Sequence, residues 1–261
     1  MSMNFNSILP ANWPAPKNIH AFTTLRYGMG VSKPPFDEFN LGNRNSELGD
    51  DPIAVEKNRE LLVQAFSMPG QPHWLRQVHG VDVLRFDGIP KRSDNYPLDE
   101  PVTDACITSK KNIVLSILTA DCLPALFCNS DGSEVAAAHA GWRGLASGVL
   151  ENTVRSMHSK PVDMMVWLGP AAGPAAYEIG TEVRDAFIHH DKQAEAAFAQ
   201  TRENHWKVDL YQLARMRLQS MGITQIYGGE HCTISEAGKF FSHRRDKLTG
   251  RMASVIWISG E

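Results

Sequence analysis

The sequence predicts a layered α/β or α+β fold rather than a doubly wound parallel sheet. Three observations carry that prediction. Short apolar or β-branched runs outnumber helical patterns, and the two kinds do not alternate regularly along the chain. The chain has 261 residues, 43% of them hydrophobic, which is enough to bury a sizeable core in one large domain.

The elements follow in order. Ile19–Thr24 is the first strand-like run. Asp51-Pro52 opens a helix, a capping carboxylate followed by proline at the first helical position. Val55, Asn58, Leu62, Ala65 and Phe66 then keep helical spacing until Pro69-Gly70 ends it. Val81–Phe86 reads as the next strand. Asp87–Pro101, rich in Pro, Asp and Lys/Arg, is long for a connection and reads as a surface loop rather than a domain break. Composition does not shift across it and no repeat or low-complexity segment occurs, so residues 1–261 read as a single domain. Ile113–Leu118, Leu126–Cys128, Val135–His139 and Met164–Leu168 are further strands. Leu145–Met157 is a helix with Leu145, Val149, Thr153 and Met157 on one stripe. Asp209–Met221 is another, with Leu210, Leu213, Ala214, Arg217, Leu218 and Met221 on one face and Gly222 as its stop. Ser254–Ile258 is the last strand.

Composition excludes several functional classes. A formal net charge of −3 leaves no electrostatic footprint for nucleic acid or an anionic membrane. No run approaches the roughly 18–20 apolar residues of a membrane span. Met1–Ser7 is polar and lacks the basic and apolar stretches of a secretory signal. Four cysteines, Cys106, Cys122, Cys128 and Cys232, are too few for a disulfide scaffold, so a reducing, cytoplasmic location is expected.

Three segments carry chemistry: Gln77-Val78-His79-Gly80, Thr119-Ala120-Asp121-Cys122-Leu123-Pro124, and Ala138-His139-Ala140-Gly141-Trp142-Arg143-Gly144. Each places a His or Cys at a strand end beside small or turn residues, where open sheets expose functional side chains. Two imidazoles and one thiolate suit zinc and leave a fourth position for water or substrate. The three lie in no CxxC or HxxxH pair, so spacing alone also admits a metal-free Cys–His nucleophile or simply buried, satisfied side chains. Gly141–Gly144 opens a helix, and its free N–H groups together with the Arg143 fork suit an anion. The plainer alternative is a glycine turn with Arg143 in solvent and Trp142 in the core.

In their order, His79-Gly80, Ala120-Asp121-Cys122-Leu123-Pro124 and His139-Ala140-Gly141-Trp142-Arg143-Gly144 resemble the signatures of the YfiH-like family. This is also called the multicopper polyphenol oxidase or laccase-like domain family, and it includes purine nucleoside phosphorylases. Phe22-Thr23-Thr24 through Gly30-Val31-Ser32, Asn40-Leu41-Gly42, Gly49-Asp50-Asp51-Pro52, Asn58-Arg59, Gly169-Pro170, Tyr177-Glu178-Ile179-Gly180, Cys232-Thr233, Phe241–Arg245 and Gly250-Arg251 extend the resemblance over nearly the whole chain. Residues 25–30 are less compact than the usual Thr-Arg-x-Gly-Gly form, and Asn43–Leu48 is longer than usual.

The resemblance implies a single α/β/β/α domain related to a bacterial toxin glutamine deamidase. It implies a zinc site at His79, Cys122 and His139, with copper as the alternative metal. It implies phosphorolysis of adenosine, inosine, guanosine and methylthioadenosine, with secondary adenosine deamination. Cys122, His79, His139 and Asp121 are then the expected catalytic residues, and Arg143, Arg44, Asn40, Gln77 and Arg244 the expected substrate and phosphate contacts. The partners are small molecules, purine nucleoside and phosphate, taken by a cytoplasmic monomer. Three other readings stand beside this one: a peptidoglycan-editing amidase that removes misincorporated L-serine from a UDP-MurNAc precursor, a copper-dependent polyphenol oxidase, and a noncatalytic module with a structural metal. The oxidase reading meets an obstacle in the residues, because the ten histidines include no His-x-His pair. The adjacent His189-His190 reads as an exposed helix end. Asp104 reads as an ordinary turn residue, Arg244, Arg245 and Arg251 as a basic cluster on a solvated face, from which one arginine could join Arg143 near a phosphate site, and Cys106, Cys128 and Cys232 as buried small hydrophobes.

Overall fold

A computed structural model describes residues 7–42, 47–86 and 100–260 of the chain. The N-terminal part holds β1 (Ile8–Pro10), β2 (Ile19–Thr24), α1 (Pro52–Ala65) and β3 (Val83–Arg85). The centre runs through β4 (Ala105–Thr108), β5 (Leu115–Thr119), β6 (Leu123–Asn129), β7 (Val135–Ala140), α2 (Trp142–Ser147), α3 (Val149–Ser156) and β8 (Met164–Leu168). Then come β9 (Glu178–Gly180), α4 (Thr181–Ile188), β10 (Phe198–Arg202), β11 (His205–Val208), α5 (Leu210–Ser220), β12 (Gln225–Gly228), α6 (His243–Asp246) and β13 (Met252–Ile258).

The strands form a six-stranded mixed sheet, order β12-β8-β6-β7-β4-β3, a four-stranded antiparallel sheet, order β1-β2-β13-β5, and a small three-stranded sheet, order β10-β11-β9. In the larger sheet β3 runs parallel to β4 and β12 parallel to β8, while β6 pairs antiparallel with both β7 and β8.

Side-chain alternation sorts the core into layers. Leu123, Ala125 and Phe127 of β6, Ala136 and Ala138 of β7, and Val166 and Leu168 of β8 pack against Leu145, Val149, Leu150, Phe187, Leu213 and Leu218 from α2 to α5. The opposite faces of the same strands present Leu126, Cys128, Val135, Ala137, Met165 and Trp167 to Leu115, Ile117, Ile256 and Ile258 of the four-stranded sheet. Beyond that sheet, Phe22, Ala253, Val255 and Trp257 meet Leu62 of α1 and Phe66 just after it. The layers are therefore α/β/β/α, as expected.

Ile19–Thr24 and Met164–Leu168 are strands over their predicted bounds. Asp51 caps α1 by accepting the Ile53 N–H at 2.9 Å, with Pro52 in the first turn. The predicted helix Leu145–Met157 differs: α2 starts earlier, at Trp142, and Gly148 at φ 99° separates it from α3. A left-handed residue cannot continue a right-handed helix, so the apolar stripe is shared by two short helices. Nearly all of the predicted loop Asp87–Pro101 (residues 87–99) lies outside the described residues. Cys106 and Cys128 are buried, and burial pushes both thiols up to about 12. Cys232 departs from its expectation. It is half-buried, and its Sγ accepts the Gly173 N–H at 3.3 Å and the Ser235 hydroxyl at 3.4 Å. Among the described residues no helix is long and apolar enough to cross a membrane.

Candidate metal centre

Three connections meet at one end of the two-sheet sandwich. The bend Ala120-Asp121-Cys122 carries the chain from β5 in the four-stranded sheet to β6 in the six-stranded one. The register pairs Pro124 with His139 and Leu123 with Ala140, so Cys122 stands beside the end of β7. His139 shares the inter-sheet face of β7 with Val135 and Ala137. His79 reaches in from the loop ahead of β3, with its backbone left-handed at φ 61°.

One ligand atom from each of His79, Cys122 and His139 lies within 4.8 Å of the other two. Cys122 Sγ is 3.7 Å from His79 Nε2, and the two imidazole rings meet edge to face at 4.8 Å. Tetrahedral zinc with bonds of about 2.0–2.3 Å spaces its ligand atoms roughly 3.3–3.7 Å apart; the Cys122–His79 pair already stands at that spacing, and the three together could hold one ion. Among the described residues it is the one group of His, Cys, Asp and Glu gathered closely enough to do so.

Asp104 builds this geometry. It is fully buried, and its carboxylate accepts the N–H groups of Val78 at 3.1 Å, His79 at 2.9 Å and Gly80 at 2.7 Å. Its Oδ1 also lies 2.8 Å from His139 Nδ1. An ionised carboxylate only accepts, so the proton sits on Nδ1 and Nε2 is left for the metal position. Burial opposes the charge on Asp104, yet the donors from His139, Gly80 and Val78 outweigh it and hold the carboxyl below its ordinary value. The reading of Asp104 as an ordinary turn residue is corrected.

The glycines of the third segment have a packing reason. A Cβ on Gly141 would lie 2.7 Å from His79 Cδ2 and 3.0 Å from Cys122 Sγ. A Cβ on Gly144 would lie 2.8 Å from the Gly80 carbonyl oxygen. Both positions are bare so that the His79 loop can lie against the β7–α2 junction.

The electrostatics favour a thiolate. Burial alone would raise the Cys122 thiol, but the His139 and His79 imidazoles more than compensate and bring it down to about 6. Burial likewise disfavours charge on His139, and the Cys122 and Asp104 charges reverse this and push it up.

The remaining expected residues fall in different places. Asp121, left-handed at φ 97°, accepts the Thr233 hydroxyl and the Arg244 N–H, both at 2.6 Å. It thus ties the Cys122 bend to two C-terminal loops and bonds neither imidazole. Gln77 clasps the backbone of Leu118 at 2.8 Å in both directions. Asn40 is fully buried; its amide donates to Asp50 and accepts the N–H groups of Gly42 and Arg251, so protein partners occupy both ends. Arg44 lies outside the described residues. Arg143 is exposed with its guanidinium 4.3 Å from the Trp142 ring centre, and Arg244 is exposed over Tyr177 at 4.9 Å. Arg245 is no solvated bystander, since it donates to the carbonyls of Thr233, Ile234 and Phe240. His189 and His190 are exposed at the end of α4, as expected. Tyr177 was not singled out as a site residue by the sequence, and Arg251 only as a member of the late basic cluster; the pairing that brings Arg251 to this end is set by β13.

Comparison with known proteins adds the lineage. The profile of the family described as multi-copper polyphenol oxidoreductase laccase matches residues 19–259. A Xylella fastidiosa protein named purine nucleoside phosphorylase is 53% identical over 253 residues, covering 96% of each chain. The Escherichia coli protein named purine nucleoside phosphorylase YfiH is 49% identical, covering 97% of this chain and 99% of its own. Among solved structures, a Neisseria meningitidis protein of the DUF152 family superposes with a TM-score of 0.88 at 43% identity, covering 97% of this chain and 100% of its own. YfiH of Bacillus licheniformis superposes with a TM-score of 0.87 at 29% identity, covering 99% and 98%.

Proposed function

Because the chain belongs to the multi-copper polyphenol oxidoreductase laccase family, we propose that it is a metal-dependent purine nucleoside phosphorylase. The observation that carries this reading is the gathered His79, Cys122 and His139 triad in a chain aligned almost end to end with relatives of that name. The substrates are adenosine, inosine, guanosine and methylthioadenosine, each taken with inorganic phosphate. A phosphate oxygen bonds C1′ as the C1′–N9 bond breaks, and the base leaves with the electron pair and takes up a proton.

His79, Cys122 and His139 are the residues that would hold the ion, zinc by the chemistry of two imidazoles and a thiolate, with copper the alternative. When bound, the ion supplies Lewis-acid polarisation of an oxygen on the nucleoside. The chain's own residues do the remaining work. Asp104 fixes the tautomer of His139 and the loop of His79. Asp121 holds the Cys122 bend against Thr233 and the backbone of Arg244. Arg143 and Arg244 offer exposed guanidinium groups to the nucleoside and phosphate. Adenosine deamination is the secondary reaction of the same centre. The protein works as a single-domain cytoplasmic monomer on small molecules; the four free cysteines support the reducing compartment, and the low net charge supports small-molecule rather than nucleic-acid partners. A four-copper relay lacks ligands, since the described residues gather one three-ligand group.

The test gives metal-defined protein adenosine with and without phosphate and, separately, the serine-bearing cell-wall precursor. Adenine plus ribose 1-phosphate, formed only when phosphate is present, is the expected result. Serine release without nucleoside turnover overturns the proposal in favour of the amidase.

A further inference from the structure

Arg251 is a guanidinium that the fold holds in place and leaves without a carboxylate partner among the described residues. Its backbone is clamped from both sides: the N–H donates to Asn40 Oδ1 at 2.8 Å, and the carbonyl accepts the Leu41 N–H at 3.1 Å. Its Nη1 donates to the carbonyls of Thr249 and Gly250, both at 2.9 Å. Those two bonds fix the plane of the group. They leave its other edge, Nε and Nη2, without a hydrogen bond among the described residues.

The position of that free edge matters. Met252 pairs with Thr119, so Arg251 stands just beyond the pairing of β13 with β5, where β5 runs into the Ala120-Asp121-Cys122 bend. The charges of Cys122 and Asp121 reach the guanidinium and partly offset the burial that depresses its pKa. Asp121 does not bond it directly: the carboxylate accepts the Thr233 hydroxyl and the Arg244 N–H, and the Arg251 side chain donates to the carbonyls of Thr249 and Gly250. Glycine also frames the stem: a Cβ on Gly42 would come within 3.2 Å of Arg251 Cβ and Cγ. Arg143 and Arg244 are exposed and lie over aromatic rings, so neither is pre-positioned to this degree.

A half-buried cation that bonds no anion directly is unfavourable unless one completes it. A guanidinium edge presents two parallel donors that match two oxygens of a phosphate. We propose that Arg251 is a further phosphate-binding residue of this site, alongside Arg143 and Arg244, receiving inorganic phosphate on its Nε and Nη2 edge beside the Cys122 bend. The identity of the anion rests on the phosphorolysis reading; the anion site itself does not. Asn40 then serves the site at one remove, by positioning the Arg251 backbone.

The test titrates inorganic phosphate against the wild-type protein, Arg251→Met and Arg251→Lys, read by calorimetry and by the phosphate-induced rise in Tm, with ribose 1-phosphate formation measured in parallel. The expected result is phosphate binding by wild type, at least tenfold weaker binding by Arg251→Met and a several-fold loss in Arg251→Lys, which keeps the charge but not the fork. Arg251→Lys carries the test if Arg251→Met fails to fold. Wild-type affinity in the variant that folds, or no phosphate binding by wild type, overturns the proposal. Phosphate binding that depends on Arg251 without ribose 1-phosphate production retires the phosphorolysis reading and supports the anion site.

Discussion

Asp104 and His139 are joined twice across the β4–β7 pairing. The Asp104 carbonyl accepts the His139 backbone N–H at 2.7 Å, and its carboxylate holds the same residue's Nδ1 at 2.8 Å. The register behind this pairs Ala105 with Ala138. One residue therefore sets both the height of His139 on its strand and the rotation of its ring, while gripping the loop that carries His79.

Asp104→Asn tests that grip. The amide introduces N–H donors where three backbone N–H groups and an imidazole N–H already point. Metal affinity should fall by about 10–100-fold, the usual cost of losing a carboxylate behind a histidine ligand. Competition against a chromogenic chelator reads it, and unchanged affinity would show that the carboxylate does not orient the ligand.

Cys122→Ser removes the thiolate and leaves the bend. Bound metal should drop to background and nucleoside turnover should vanish, with the circular dichroism spectrum retained. Metal stoichiometry by atomic spectroscopy decides the point, and full occupancy in the variant contradicts the assigned donor set.

Gly141→Ala places a methyl group 2.7 Å from His79 Cδ2 and 3.0 Å from Cys122 Sγ. The ligands must move apart, so metal binding should weaken more than global stability does. Gly238→Ala is the matched control, because a Cβ there meets nothing within 4 Å. Equal metal affinity in the two variants would refute the steric argument.

Glu134 supplies a pH dependence remote from the metal. Its buried carboxylate accepts the His158 N–H at 2.9 Å, the Ser159 N–H at 3.1 Å, the Ser159 hydroxyl at 2.9 Å and Arg85 Nη2 at 2.9 Å. Burial works against the charge, but these donors outweigh it and hold the pKa below its ordinary value. A depressed carboxyl pKa contributes stability above the unfolded-state pKa and loses it as pH falls through the folded-state value. Glu134→Gln should therefore cost about 2 kcal/mol at pH 7, and the gap to wild type should close in acid below the ordinary carboxylate range. Urea unfolding across that range measures it; a gap independent of pH would count against the ionised form.

The metal triad was legible because each ligand sits in a short segment whose glycines and strand ends mark it locally. Asp104 was not, because its role depends on which residue of β7 faces β4, and Ala105–Thr108 is too short to announce itself as a strand. Arg251 was visible only as one of three late arginines, since it is the pairing of β13 with β5 that brings it beside Cys122. The bare positions Gly141 and Gly144 did not reveal their packing role, since only the structure shows the His79 loop lying where their side chains would stand. The three-stranded sheet escaped notice because β10 exposes Ala199–Arg202 to solvent, and polar edge residues give no apolar period to detect. Gly148 was visible as a residue, but its left-handed backbone, which splits one predicted helix into two, was not.

The crossing of the chain at Cys122 makes the candidate metal centre a gauge of how the two sheets sit on one another. His139 rides on the six-stranded sheet and His79 is moored to that sheet through Asp104, while Cys122 lies on the span arriving from the four-stranded one. A coordination shell tolerates far less slippage than an apolar interface, which can slide and still stay dry. Shaving a methyl from Ile117, wholly enclosed between the sheets, should thus disturb ion affinity well before it melts the protein. An ion held there would act as a rivet through the sandwich, and its removal should loosen the contact between sheets that at this end the chain itself crosses at the Cys122 bend.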